Sequence, residues 1–182
     1  MLWHLNESED MLKFYRDFIL KAPHDVYGYF AFLTVPPVPL FPQELHLKKM
    51  CGIVWCVLGD RRKAINAVDT FREYKTPALD YTAEIPYAAL QGMFDPLYPK
   101  GLQWYWKADF VKDLPDEAIS LNVKYAEKLP TPHSTMHLIP SADCILPVAP
   151  AVVTSTKSST SAVRSGSCSV RRSKRPVAKR RA

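Results

Sequence analysis

One strand-like stretch carries the side chains in this sequence that are best placed to do chemistry. Residues 103–111 alternate in character, and successive side chains of an extended strand point to opposite faces. Tyr105, Lys107 and Asp109 then share one face, where a phenol, an ammonium and a carboxylate in a row could orient a substrate or transfer a proton. The alternative is a solvent-facing stripe with a neighbouring Lys–Asp pair. The other face is apolar and suits packing on helices, since it carries Trp104, Trp106, Ala108 and Phe110.

A further candidate is His137, in the strand-like segment 134–139. A single histidine on a strand is more often structural or solvated than catalytic, so both interpretations stay open. No pair of histidines has the spacing of metal ligands and there is no Cys-x-x-Cys, so we predict no metal site. The sequence also contains no recognisable Ser-His-Asp pattern and no phosphate-binding motif.

The spacing of apolar residues predicts an α+β domain over residues 1–140. Helical patterns start after Asn6, Asp60, Pro86 and Pro115, where capping residues or prolines favour a helix N-terminus. A mixed or antiparallel sheet with helices covering one face would bury this pattern, and its other face would be free to cover something else. Strands are predicted at 2–5, 26–35, 50–58, 79–81, 104–111 and 134–139.

Charge divides the chain into two parts. All 18 acidic residues lie at or before Asp143, whereas nine of the 24 Lys and Arg lie from Lys157 onward, so the net charge of +6 comes from the end of the chain. Residues 141–182 show no regular periodicity and have little apolar surface with which to offset the entropy of ordering. We therefore predict a disordered, basic, Ser/Arg/Lys-rich tail over 141–182. A change of reading frame near 141–146 would explain this abrupt shift in composition.

The N-terminal residues and the cysteines indicate the cellular compartment in which the protein is expected. The chain opens without a basic segment or a long apolar run, so we expect no signal peptide. The apolar stretches are far shorter than the roughly 20 residues of a membrane helix. Cys51 and Cys56 are an odd number of positions apart, so on one strand they would point to opposite faces and could not pair. We expect a cytoplasmic protein with reduced thiols and no membrane partner.

Four blocks of this sequence resemble bacterial FAD-dependent oxidoreductases of the vanillyl-alcohol oxidase and berberine-bridge type. The longest is Leu97-Tyr-Pro-Lys-Gly-Leu-Gln-Trp-Tyr-Trp-Lys-Ala-Asp-Phe110, followed by Leu129-Pro-Thr-Pro-His-Ser-Thr-Met-His-Leu138. Ile53-Val-Trp-Cys-Val-Leu-Gly-Asp60 and Ala88-Leu-Gln-Gly-Met-Phe-Asp95 also look like the middle of those enzymes. The resemblance extends over roughly residues 1–140.

This resemblance implies a place in a larger enzyme. Family members combine an FAD-binding domain with a substrate domain whose antiparallel sheet roofs the flavin ring, and this chain looks like a truncated protein with the substrate domain alone. It then implies that Tyr105 and Lys107 orient or deprotonate a small-molecule substrate, with His137 a weaker candidate. The scattered glycines form no pyrophosphate-cradling loop, so we expect the chain alone not to bind FAD and to be inactive without a flavin-binding domain in trans.

The rival hypothesis is a non-catalytic α+β binding protein. Its basic tail, residues 171–181 above all, would contact nucleic acid non-specifically through counterion release. The tail has no interleaved aromatic residues and the chain has no folded nucleic-acid motif, so we expect a solvated tail and no nucleic-acid partner.

Overall fold

A computed structural model describes residues 1–98, 100–140 and 150–157, and confirms an α+β fold built on an antiparallel sheet. The six strands lie in the order β1-β3-β2-β5-β6-β4, so the sheet ends on β1 at one edge and on β4 at the other. Every pair of neighbouring strands is antiparallel. The strands are β1 (Leu2–His4), β2 (Val26–Thr34), β3 (Lys49–Val57), β4 (Trp104–Phe110), β5 (Met136–Pro140) and β6 (Pro150–Lys157).

Three of the four helices cover one face of the sheet. Their apolar residues pack on alternate side chains of β2, β3 and β5. Trp3, Phe30, Phe32, Phe71 and Leu138 are among the fully buried members of this core. The helices are α1 (Ser8–Ile19), α2 (Arg61–Tyr74), the short α3 (Tyr87–Gly92) and α4 (Asp116–Ala126), of which α1, α2 and α4 supply the core contacts.

The long hairpin of β2 and β3 is the centre of the fold. Its pairing runs without a break from Val26 opposite Val57 to Thr34 opposite Lys49. Both strands are rich in aromatic and β-branched residues, which favour a pleated, half-buried surface. The predicted strands at 26–35 and 50–58 are therefore confirmed, whereas the predicted strand at 79–81 is reduced to a single bridge between Leu2 and Leu79.

The end of the chain differs from the sequence prediction where the structure describes it. Of the predicted disordered tail, residues 141–149 and 158–182 lie outside the described residues. Residues 150–157 form β6, although the composition predicted no regular structure there. The physical reason is that β4 and β5 each offer a row of backbone donors and acceptors, and β6 pairs with both. Within the described ranges, no helix is long and apolar enough to cross a membrane.

Candidate functional site

Strand register decides which face of the sheet each candidate side chain occupies, because directly paired residues point to the same face. Lys107 pairs with residue 154 of β6, which pairs with Met136 of β5. Met136 in turn pairs with Phe32, and both are buried in the core beneath the helices. Lys107 and its strand neighbour Tyr105 therefore lie on the helix-covered side of the sheet. The prediction that the apolar side of this strand packs on the helices is therefore wrong.

Tyr105, Lys107 and Asp109 do share one face, as the alternation predicted, but the helices do not reach them. β4 is an edge strand, and every residue from Tyr105 to Phe110 is exposed. Tyr105 keeps 52% of its surface accessible. The row is thus open to solvent, without the enclosure that strengthens electrostatic contacts at most catalytic sites.

The opposite side of the sheet is lined with aromatic rings. Tyr98 packs against Trp104 and Trp106, with ring centroids 5.2 and 5.3 Å apart. The imidazole of His137 lies 5.3 Å from the ring of Tyr29, measured between centroids. We call the surface formed by these five residues the aromatic face. It contains one of the three predicted site residues, His137, and the sheet separates it from the other two.

Burial sets the charge state of the polar groups on the aromatic face. Desolvation lowers the pKa of His137 to about 4, so its imidazole is neutral at pH 7. Desolvation also raises the pKa of Tyr29 to about 12 and raises that of Tyr98. The face therefore presents uncharged donors and acceptors within an aromatic surface at neutral pH. A neutral imidazole with so low a pKa is a weak base, and its useful property is hydrogen bonding.

A cavity of about 310 Å³ lies beside the aromatic face, between the sheet and α3. Pro86 precedes α3 as the sequence predicted, and α3 lines the cavity with Tyr87, Leu90 and Gln91. Aromatic and aliphatic groups dominate the walls, with one thiol and one amide among them. Such a composition suits a flat, largely apolar ligand with few polar groups. The lining residues are Tyr27, Tyr29, Val54, Cys56, Tyr87, Leu90, Gln91 and Phe94.

Sequence reasoning missed Tyr29 and Tyr98. The signal for Tyr29 was present, because alternation along β2 puts Tyr27 and Tyr29 on one face and Phe30 and Phe32 on the other, so both faces are aromatic. Only one face of such a strand can pack on the helices, and the other then needs a different partner. No comparable signal marks Tyr98, which precedes a turn and reaches the sheet only through the tertiary fold.

The N-termini of α1 and α4 are poorly suited to bind phosphate, and that of α2, although its first turn is basic, is capped by a carboxylate. Helix N-termini attract anions through free N–H groups and the helix dipole, but here carboxylates already occupy these ends. Glu9 and Asp10 lie in the first turn of α1, and Asp116 and Glu117 in that of α4. At α2 the side chain of Asp60 accepts the backbone N–H of Arg62 at 2.8 Å. Within the part of the chain that the structure describes, there is also no cluster of three potential metal ligands.

No protein-family model matches this chain, and no curated protein matches it.

Proposed function

We propose that this chain is the substrate-side domain of an FAD-linked oxidoreductase and forms a wall over the flavin ring through its aromatic face. The observation that carries the proposal is the division of the sheet into a helix-packed face and an opposite face lined by Tyr29, Tyr98, Trp104, Trp106 and His137. Aromatic rings suit the surface of a planar heterocycle. The sequence blocks that resemble the vanillyl-alcohol oxidase and berberine-bridge enzymes include β4 and β5, which build this face.

The residues fit the ring of FAD but not its pyrophosphate. An aromatic wall can stack on or border an isoalloxazine ring, whereas a pyrophosphate needs clustered backbone N–H groups and positive charge. The first turns of α1 and α4 are acidic, and the basic first turn of α2 (Arg61, Arg62 and Lys63) has one of its N–H groups already bound by the side chain of Asp60. The proposal therefore assigns FAD to a partner domain and leaves the isolated chain without turnover. In such a complex the partner domain would hold the flavin, which would supply hydride acceptance, and the aromatic face of this chain would border the ring.

His137 is the polar residue that the proposal places nearest the substrate. Its neutral imidazole donates or accepts a hydrogen bond and so orients a substrate hydroxyl against the wall. Tyr105 and Lys107 lie on the other side of the sheet, so they cannot act on the same substrate group as His137. Of the three candidates, the geometry therefore favours His137.

The proposal also places the protein in the cytoplasm. Cys51 and Cys56 are free thiols on opposite faces of β3. Burial raises the pKa of the Cys51 thiol to about 12, which keeps it protonated and unreactive. A reducing compartment suits both cysteines.

The test mixes the full chain with an FAD-loaded flavin domain taken from a family member. We expect the two to co-elute in size exclusion, and tryptophan emission to be quenched by energy transfer to the flavin. Trp106→Ala and His137→Gln, both on the aromatic face, should weaken this quenching.

Tyr105→Phe and Lys107→Met are the matched controls, since they change the same strand on its other side and should leave the quenching unchanged. The proposal fails if no complex forms, or if these two controls weaken quenching as strongly as the aromatic-face variants.

A further inference from the structure

The two edges of the sheet are protected to different extents. At one edge, β1 has only three residues, and its free side is partly closed because the backbones of Leu2 and Leu79 exchange hydrogen bonds of 2.8 and 3.3 Å. At the other edge, β4 has seven residues, and within the described residues it pairs only with β6. Native proteins shorten, charge or cover an edge strand, because an open row of N–H and C=O groups templates pairing with another strand.

The open edge at β4 also has apolar side chains on both faces. Phe110 is 77% exposed and Trp106 50% exposed on one face, and Tyr105 is 52% exposed on the other. Scattered single apolar residues at a surface are ordinary, but here three large rings are exposed within one edge strand of seven residues. A further strand paired with the free backbone edge would cover part of their surface.

The charges of β4 favour β4 of a second copy of this chain as the strand that pairs with the free edge. If two copies of β4 pair antiparallel about a two-fold axis beside Ala108, Lys107 of each copy lies opposite Asp109 of the other. Trp106 of each copy then lies opposite Phe110 of the other. Directly opposed side chains in an antiparallel pair have Cβ atoms about 5 Å apart, so two opposite-charge pairs and two aromatic pairs form together.

Neighbouring registers are less favourable. The two copies must present the same face to each other, which restricts the axis to a position beside a single residue. An axis beside Lys107 places the two lysines opposite each other, and an axis beside Asp109 does the same with the two aspartates. Like charges directly opposite are destabilising, so the strand is self-complementary about Ala108.

We propose that the free edge of β4 is a homodimer interface, in which two copies of this chain join their sheets by antiparallel pairing of β4 centred on Ala108. An interface of this kind is closed, because each chain uses the β4 edge, which is open among the described residues, and the β1 edge is bridged by Leu79. Both aromatic faces stay accessible on one side of the joined sheet. Trp106 belongs to both surfaces, but the pairing of two β4 strands requires no flavin partner.

The experiment measures the mass of the full chain by sedimentation velocity over a wide concentration range. We expect a dimer of twice the 20.7 kDa of one chain, dissociating on dilution. Asp109→Lys places four lysines at the interface, and Lys107→Asp places four aspartates there. Each variant should weaken the dimer by about tenfold or more, because two attractive pairs become repulsive. Both positions are exposed, and circular dichroism verifies that the variants fold.

Mixing two variants of opposite charge is the most decisive part of the experiment. Mixing Lys107→Asp with Asp109→Lys should give a heterodimer, and the double variant K107D/D109K should dimerise as the original chain does. Glu73→Lys makes the same charge change as Asp109→Lys on the exposed surface of α2, and should leave the dimer intact. A chain that is monomeric at every concentration overturns the proposal. So does a dimer that Asp109→Lys leaves unchanged, or one that mixing fails to restore.

Discussion

The phenol ring of Tyr29 and the imidazole of His137 lie 5.3 Å apart between centroids, with an angle of 46° between their planes. They are diagonal neighbours across two strands, because His137 pairs directly with Ala31, two residues from Tyr29. Burial disfavours the charged form of each ring, so it lowers the pKa of His137 and raises that of Tyr29. This contact joins the face of β2 that carries Tyr29 to His137, the one candidate residue that lies within the aromatic face.

The burial of His137 has a consequence for stability against pH. Its pKa is about 4 in the folded chain and about 6.5 when unfolded, so between these values the unfolded chain binds a proton that the folded chain does not. Stability should therefore fall as the pH drops from about 6.5 to 4, by up to about 3 kcal/mol. Urea unfolding at several pH values measures this loss.

His137→Gln is the matched variant, since glutamine hydrogen-bonds without titrating. We expect its stability to vary less with pH in this window than that of the original chain. An unchanged slope, or an NMR titration in which His137 protonates near 6.5, would contradict the assigned burial.

The carboxylate of Asp80 should stabilise the segment that follows α2. Burial by itself would raise its pKa, but hydrogen bonds from Arg72 at 2.7 Å and from Thr82 outweigh burial and lower the pKa to about 2. Asp80→Asn should therefore cost about 1–2 kcal/mol at pH 7, allowing for partial exposure. The contribution is present above about pH 4 and is lost as the pH falls towards 2.

Asp69→Asn is the control for Asp80→Asn, because Asp69 also pairs with Arg72 at 2.7 Å but is more exposed. Exposed i,i+3 pairs contribute about 0.5 kcal/mol or less, so its effect on the urea midpoint should be clearly smaller. Equal effects from the two variants would show that Arg72 does not distinguish the two carboxylates.

Gly52 is required by the close approach of β1 to β3. A Cβ at this position would lie 2.5 Å from Cδ2 of Leu2 and 2.6 Å from the backbone oxygen of Met1. Gly52→Ala should therefore displace β1 and destabilise the fold by about 1–3 kcal/mol. Gly92→Ala is the control: its Cβ would meet nothing closer than 4.0 Å, and alanine favours a helix by up to about 1 kcal/mol. A destabilisation by Gly92→Ala that matches Gly52→Ala would argue against this packing.

Local patterns in the sequence predicted the elements better than their arrangement. The strand at β4 and the shared face of Tyr105, Lys107 and Asp109 followed from alternation, which is a local property. The side on which that face lies depends on pairing through β6 to β5, which is non-local, and here the sequence prediction failed.

The start of α1 also differs from the sequence prediction, although only local residues are involved. In the sequence, Asn6 and Glu9 have the three-residue spacing of a capping box, which predicts a cap between these two residues. Instead, the backbone N–H of His4 donates to Glu7 at 3.0 Å, and Glu9 pairs with Lys13 one turn along the helix. A short 3₁₀ turn at Leu5–Glu7 precedes the helix and shifts the caps by two residues. Such a shift is within the usual uncertainty of helix ends.

The four tryptophans allow the central claim to be measured within one molecule. Trp104 and Trp106 belong to the aromatic face. Trp3 and Trp55 pack in the helix-covered core, where the indole of Trp3 donates to the backbone oxygen of Lys75 at 2.9 Å. Their indole N–H signals can be followed by ¹⁵N NMR while flavin mononucleotide is added to the full chain.

If the aromatic face is a wall for a flavin ring, the Trp104 and Trp106 signals should shift at about millimolar ligand while those of Trp3 and Trp55 stay in place. FAD should bind no more tightly than the mononucleotide, since the scattered glycines of the sequence form no loop that suits its pyrophosphate. The account is contradicted if Trp104 and Trp106 do not respond, or if FAD binds with micromolar affinity, which would make the chain a flavoprotein in its own right.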